Sequence, residues 1–287
     1  MSTILKWAGN KSRVMPELLA HLPEGDRLVE PFAGSCAVMM NTDFRAYLVA
    51  DINPDLINLY RQIKEHTRPF IVVAASLFNQ NTTGESYYAV REAFNHNPAL
   101  PLLERAAYFL YLNRNGYRGL CRYNKRGEFN IPFGNYAEPY FPLAEIEAFA
   151  AKAQLATFIC ADFRETLRLT KAGDVVYCDP PYDGTFAEYH SASFGKDEHH
   201  DLVSMLLGVS ERCPVVVSNS DTFYTRSILR DFDITKISVA RSVGVAAGES
   251  KRASEIIAVR CPEPVPVVTG FDLAAGADHS VMMEVQP

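Results

Sequence analysis

Short apolar runs alternate with amphipathic and polar stretches along most of this chain, the rhythm of buried strands taking turns with helices. Leu28-Val29-Glu30-Pro31-Phe32 reads as a short buried strand running into the small-residue turn Ala33-Gly34-Ser35, and a helical segment follows near Ala37 to Asp43. Tyr47-Leu48-Val49-Ala50 is a second strand that ends on Asp51-Ile52-Asn53. From Pro54 to about Leu103 the pattern turns helical and polar, with Asn79 to Gly84 as a loop, and Ala106 to Asn113 forms an aromatic helix. An irregular segment rich in Arg, Asn, Gly and Tyr then runs to Phe129-Asn130-Ile131-Pro132-Phe133-Gly134. Beyond it the alternation resumes, with strands at Thr157 to Cys160, Val175 to Cys178, Val215 to Ser218, Ile234 to Ala240 and Glu255 to Val259. The last two flank a Gly-containing loop and predict an antiparallel hairpin closing one edge of the sheet. Pro262 to Pro287 has no Lys or Arg and little periodicity, the mark of a weakly ordered tail.

The first strand, small-residue turn, helix, second strand and terminal acid make up the first half of a dinucleotide-type βαβ unit. The G-x-G-x-x-G fingerprint is absent, so the weight falls on Asp51, because a carboxylate at the end of the second strand can take both hydroxyls of a ribose. Asp162 follows the run Phe158-Ile159-Cys160-Ala161 and puts another acid at a strand end. Any one such acid is read most simply as a helix N-cap. Acids ending three strands also fit a nucleoside-bearing cofactor, with Asp51 on the ribose, Asp162 on a purine amino group and Phe163 stacked on the purine.

Asp179-Pro180-Pro181-Tyr182 follows the strand Val175 to Cys178. Two prolines without backbone N–H groups stiffen the chain just past the strand and leave carbonyls free to accept. A carboxylate, a bare carbonyl and an aromatic ring in fixed order suit a planar amino group: the ring stacks on the base while the oxygens take its two N–H donors. An ordinary strand-to-loop turn is the plain alternative for four residues read alone. Lys6-Trp7-Ala8-Gly9-Asn10-Lys11 offers an aromatic face between two cations, or simply a surface turn before a helix.

Composition narrows the class. The chain of 287 residues is 48% hydrophobic and 22% charged, as expected of a soluble globular protein with one large α/β domain and an inserted lobe. No apolar run is long enough to span a bilayer, and the first residues lack the order of a signal peptide. The six cysteines are scattered without a C-x-x-C pair, which favours reduced thiols and a cytoplasmic location over a disulfide framework or zinc site. His199-His200 point in different directions on a helix and have no evident third ligand, so no metal is expected. Net charge is −6, yet Arg114, Arg118, Arg122, Lys125 and Arg126 fall together with no acid among them. Phosphate affinity follows local cation density, so this segment marks a nucleic-acid face.

Taken in order, these motifs resemble the Dam-type DNA adenine-N6 methyltransferases of the D12 class, which recognise GATC. The resemblance runs from Leu5 to about Val259. It is carried by Leu5-Lys6-Trp7-Ala8-Gly9-x-Lys11, Leu28 to Phe32, Ala50 to Asn53, Gly119-Leu120-Cys121-Arg122-Tyr123-Asn124, Arg126 to Asn130, Pro132 to Gly134 and Val175 to Tyr182. It implies an α/β, Rossmann-like S-adenosylmethionine-dependent methyltransferase sheet with an inserted, mainly helical DNA-recognition lobe. Residues 1–55 and 144–261 would form the catalytic part, 56–143 the recognition lobe and 262–287 the tail. S-adenosylmethionine is the implied cofactor and double-stranded DNA the implied partner, for a monomeric, nucleoid-associated enzyme with no metal and no membrane contact. The resemblance assigns Trp7, Lys11, Asp51 and Asp179 to the cofactor, with Phe32, Ala33, Gly34, Ser35, Ile52, Asp162 and Phe163 around it. The same likeness assigns catalysis to Asp179, Pro180, Pro181 and Tyr182. To DNA it assigns Lys6, Tyr117, Arg118, Leu120, Arg122, Asn124, Pro132, Asn135 and Tyr136.

The chain departs from that pattern at four positions. Asn10 replaces a glycine but tolerates positive φ. Cys36 takes the place of the second glycine of the usual Phe-x-Gly-x-Gly, which tightens or shifts the cofactor loop. Arg118 stands where relatives often carry Asn, and Asn135 where they often carry Arg. These last two bear on flanking preference, processivity and stringency for GATC, while Leu120 and Arg122 keep the core specificity. Two alternatives stay open at the level of sequence: a non-catalytic DNA-binding relative, and an adenine or cytosine amino-methyltransferase acting on another nucleic acid. A virus- or mobile-element-encoded origin is equally open.

Overall fold

A computed structural model describes residues 2–9, 11, 14–136, 140–182, 194–240 and 252–263. Asn10 and most of the predicted tail lie outside these residues.

Seven strands form one sheet in the order β3-β2-β1-β4-β5-β7-β6. They are β1 (Arg27–Glu30), β2 (Ala46–Asp51), β3 (Ala156–Cys160), β4 (Asp174–Cys178), β5 (Val215–Ser220), β6 (Asp233–Ala240) and β7 (Arg252–Arg260). The first five run parallel, and β7 lies antiparallel between β5 and β6. The expected terminal hairpin is therefore present, with its second strand tucked inward and β6 at the edge. The expected strand at Leu28 to Phe32 ends at Glu30 because Pro31 cannot donate to a ladder.

Both faces are covered, which is why the parallel strands are almost continuously apolar. Leu28, Tyr47, Val49, Val175, Tyr177 and Val216 turn toward one core. Their neighbours Val29, Leu48, Val176, Cys178, Val215 and Val217 turn toward the other, the two-residue alternation of a pleated sheet. The second core is closed by α8 (Phe163–Arg168), α9 (Lys196–Ser210) and α10 (Phe223–Ile228) through Leu167, Leu202, Leu206 and Ile228, with Leu229 just past the end of α10.

The first core continues into five helices between β2 and β3: α3 (Pro54–Glu65), α4 (Thr67–Gln80), α5 (Gly84–His96), α6 (Leu102–Asn115) and α7 (Leu143–Ala153). Two more helices, α1 (Met15–His21) and α2 (Ala37–Met40), complete this side. Helix α3 starts at once after β2 because Asn53 caps it, its side chain accepting from the N–H groups of Asp55 and Leu56, with Pro54 at the first turn. It packs on β2 and β3 as well as on α4 and α6. Arg61 and Lys64 donate to the carbonyls of Phe158 and Ala156, tying it to the sheet edge.

Helix α6 grips the N-terminal segment. Asn113 takes the Lys6 N–H at 2.9 Å and donates to the Lys6 carbonyl at 2.8 Å. Arg114, which the sequence groups with the phosphate-facing cations, is buried and donates to the carbonyls of Ile4 and Thr3 at 2.8 and 3.1 Å. It belongs to the scaffold and not to the basic face.

Candidate active site

Chain order turns back between β1 and β4, and in such sheets ligands sit beyond the carboxyl ends of the strands at that reversal. A cavity of about 430 Å³ opens there. All the residues assigned above to cofactor and catalysis line it: Trp7, Lys11, the turn Phe32 to Ser35, Asp51 and Ile52, Asp162 and Phe163, and Asp179 to Tyr182.

The turn after β1 is pinned from three sides. Ala33 N–H donates to the Ala50 carbonyl and Cys36 N–H to the Ala33 carbonyl, both at 2.8 Å. Gly34 N–H donates to Asp51 Oδ2 at 3.1 Å, and the Tyr60 hydroxyl donates to the Gly34 carbonyl. Gly34 has φ +46°, and a Cβ there would come within 3.0 Å of the Trp7 indole, so both backbone and contact require glycine. Cys36 keeps the left-handed conformation (φ 56°, ψ 32°) expected of the glycine it replaces. A buried cysteine in this conformation carries backbone strain on the order of 1 kcal/mol.

Asp51 accepts from Gly34 through one oxygen and from Asn53 N–H through the other at 2.9 Å, which fixes the carboxylate at the mouth of β2. Asp162 does what a strand-end acid most simply does: it N-caps α8 by accepting from Arg164 N–H at 2.8 Å, in a capping box with Glu165. It lines the cavity as well. The Phe163 ring lies against Phe32 (centroids 5.7 Å apart, planes at 26°), and the Arg164 guanidinium sits 4.4 Å from its centroid.

At the other end of the cavity Lys11 Nζ lies 2.6 Å from Asp179 Oδ2 in a largely buried ion pair. It also donates to the Gly9 carbonyl at 2.9 Å and stands 4.8 Å from the centroid of the Tyr182 ring. Burial raises the Asp179 carboxyl above the usual range, and Lys11 works against that shift. Asp179 Oδ1 has no partner among the described residues.

Sequence reading missed Glu30, the last residue of β1. It is fully buried, lines the same cavity and leaves Oε1 without a partner. Burial pushes its carboxyl up to about 8, the Met39 backbone hydrogen bond opposes this, and the nearby Asp179 adds to it. An apolar run gives no sign that one member is an acid facing inward. Cys121, Tyr177, Phe194 and Glu198 also line the cavity and were not anticipated.

A carboxyl raised in the folded state holds its stabilising share below the ordinary carboxylate range and loses it as pH rises through the folded value. The ligand-free protein should therefore melt at progressively lower temperature from about pH 5 to about pH 8. Glu30→Gln should flatten that decline; an unchanged slope in scanning calorimetry would contradict the assignment.

Several of the residues assigned to DNA are tied to one another by direct contacts. The Tyr117 N–H donates to the Pro132 carbonyl and the Gly134 N–H to the Asn115 carbonyl, both at 2.8 Å, and Gly116 bridges Phe133, so residues 115–117 and 132–134 are paired. Lys6 Nζ sits 4.0 Å from the Tyr136 centroid, and its stem packs under Gly119, where a Cβ would fall 2.2 Å from Lys6 Cβ. Tyr117 is exposed, with the Arg118 guanidinium 5.2 Å from its ring centroid. Leu120 is half-buried against the core. Arg122 Nε donates to Asn130 Oδ1 at 2.8 Å, which sets the plane of its guanidinium. Asn124 is occupied within the turn: its Oδ1 accepts from Arg126 and Glu128 N–H, and its Nδ2 donates to Glu128. Arg118 (φ 56°) and Asn135 (φ 51°) both take the left-handed conformation, which Asn favours and Arg does not.

No helix among the described residues is long and apolar enough to cross a membrane, and no cluster of three potential metal ligands occurs among them.

Residues 7–243 match the family described as D12 class N6 adenine-specific DNA methyltransferase. The retron Ec67 DNA adenine methylase of Escherichia coli is 58% identical over 100% of both chains. The DNA adenine methylase of Escherichia coli strain K12 is 44% identical over 90% of this chain and 95% of its own. That of Serratia marcescens is 43% identical over 89% and 97% respectively.

Proposed function

Since this chain belongs to the D12 class N6 adenine-specific DNA methyltransferases, we propose that it takes its methyl group from S-adenosylmethionine and places it on adenine in GATC. The observation that carries the reading is a single cavity with Asp51 at one end and Asp179 and Tyr182 at the other. Its lining offers surfaces for both a nucleoside-bearing donor and an extruded base. The residues present suit such a donor: Trp7, Phe32 and Phe163 provide aromatic surface, Asp51 a ribose partner, and Ile52 and Ala33 to Ser35 the walls. Glu30 and Asp179 each offer an unpaired carboxyl oxygen to a ligand that carries positive charge or N–H donors. When bound, S-adenosylmethionine supplies an electrophilic methyl on a sulfonium.

Adenine N6 is a poor nucleophile because its lone pair is delocalised into the ring, and in duplex DNA it is out of reach until the base is flipped. Tyr182 gives the extruded base a stacking surface. The Asp179 carboxylate and the Pro180 carbonyl accept the two N6 hydrogens, which favours a more tetrahedral nitrogen with its lone pair localised. Pro181 keeps the segment rigid. No general acid is needed, since positive charge is relieved during transfer, so positioning and fixed dipoles do the work.

Residues 56–143 serve as the recognition lobe in this reading, on a catalytic part made of 1–55 and 144–261. Tyr117 fills the gap left by the base. Arg122, oriented by Asn130, reads a guanine edge with its two remaining N–H-bearing ends. Lys6, Arg118, Leu120, Pro132, Asn135 and Tyr136 line the same face, and Asn124 supports it by holding the turn. Arg122→Ala should cost about 1–3 kcal/mol of discrimination at one base pair, measured as the ratio of kcat/KM on GATC and on the single-base variant.

Tritium transfer from labelled S-adenosylmethionine to short duplexes tests the whole reading. Label on a GATC duplex alone supports donor, substrate and specificity together. Equal label on a single-base variant would overturn GATC stringency, and no label on any duplex would overturn the donor or the substrate.

A further inference from the structure

The Tyr182 hydroxyl donates to Glu255 Oε2 at 2.9 Å. Glu255 lies on none of the loops that build the cavity. It sits in β7, a strand paired on both sides, with Ser220 of β5 and Ile237 of β6 as its neighbours. Its backbone is therefore held by a neighbouring strand on each side, and its carboxylate is delivered to the Asp179–Tyr182 motif from the antiparallel part of the sheet.

Tyr182 is held at its base by two preceding prolines, and its ring end is reached by Glu255 on one strand and by Lys11 beside Asp179. A hydrogen bond from the ring's far tip to a paired strand restrains the swing of the ring about χ1. Lys11 stands 4.8 Å from the ring centroid and grips Asp179 at the same time, so ring, carboxylate and cation have one relative arrangement. Burial, with Asp179 and Glu255 close by, keeps the phenol protonated far above neutral pH, and the hydroxyl stays a donor. Charged acceptors make the stronger hydrogen bonds.

We infer that Glu255 is a positioning residue for methyl transfer: it holds the tip of the Tyr182 ring in place, and with it the position of the surface on which the flipped adenine stacks. This rests on the function proposed above. Its expected signature is a loss in the chemical step and in base stacking with cofactor binding intact.

Glu255→Ala should slow single-turnover methylation by about 10–100-fold, the scale set by small misplacements of reacting groups. The dissociation constant for S-adenosylmethionine, read by equilibrium dialysis, should not change. With 2-aminopurine in place of the target adenine, emission in the complex should be higher than for the unmodified enzyme, because a base that is flipped but poorly stacked is less quenched. Glu255→Gln retains an acceptor and should restore most of both signals. The deciding comparison uses Tyr182→Phe, which removes the donor: it should reproduce the Glu255→Ala loss, and adding Glu255→Ala to it should cost nothing more. An additive loss in the double variant, or a Tyr182→Phe enzyme as fast as the parent, would overturn the inference. If Glu255→Ala alone melts early, Tyr182→Phe and Glu255→Gln still decide. Failure of the underlying function looks different: the unmodified enzyme would then label no adenine at all.

Discussion

Asp179→Ala should lower the rate of methyl transfer by about 10³-fold or more, the scale on which a positioned proton acceptor and a fixed charge act together. The side chain has two tasks. In the proposed mechanism it accepts an N6 hydrogen from the target, and in the structure it balances Lys11 at 2.6 Å in a largely buried pair. Alanine ends both and leaves a buried ammonium without its counter-charge. Asp179→Asn keeps the shape and one accepting oxygen but loses the charge, and should fall between the two. Single-turnover tritium transfer with saturating cofactor measures the chemical step apart from binding. Near-normal transfer in Asp179→Ala would sink the mechanism.

Lys11→Met should produce the next largest effect, with a pH signature. Burial raises the Asp179 carboxyl, and Lys11 opposes that shift through charge and a hydrogen bond. Removing the ammonium moves Asp179 further up. The mechanism needs the ionised carboxylate, so activity is lost as pH falls through the Asp179 value, and raising that value moves the acid limb of the rate profile toward higher pH. The variant should be about 10²-fold slow near neutrality and should recover in part at alkaline pH. Breaking a buried ion pair by removing one partner costs about 3–5 kcal/mol. Protonation of the orphaned carboxyl limits that cost here, so the thermal loss should be milder at acid than at alkaline pH. A uniformly slow enzyme with an unshifted profile would mean that Lys11 acts only on the cofactor.

Much of the cavity was legible in the residue pattern because its makers are local. Apolar β-branched runs, a small-residue turn, an acid closing a strand and a proline pair each act within a few residues of their own position. Asn53-Pro54 announced the start of α3 in the same way. What escaped is what depends on partners far along the chain. Nothing in Leu28 to Phe32 says that Glu30 faces inward beside Asp179, and nothing in Ser254-Glu255-Ile256 points to Tyr182, 73 residues earlier. Arg114 was misread for the same reason: a cation among cations looks like a phosphate ligand until the carbonyls of Thr3 and Ile4 are seen beneath it. The left-handed backbones of Cys36, Arg118 and Asn135 are also invisible in composition, although two of the three fall at non-glycine, non-asparagine residues where they carry strain.

The N-terminal segment has one more consequence. Lys6 is clasped by α6 on the side proposed to meet DNA, while Lys11 ends on Asp179, and only four residues separate them in sequence. A chain that short spans at most about 18 Å, so it acts as a ruler between reading head and chemistry. On the proposed function, a base sequence that pulls Lys6 to that limit should be felt at Asp179 as tension on Lys11. Re-engineering the target site from the recognition face alone would then yield enzymes that bind the new sequence and fail to mark it, unless the ruler is recut to match.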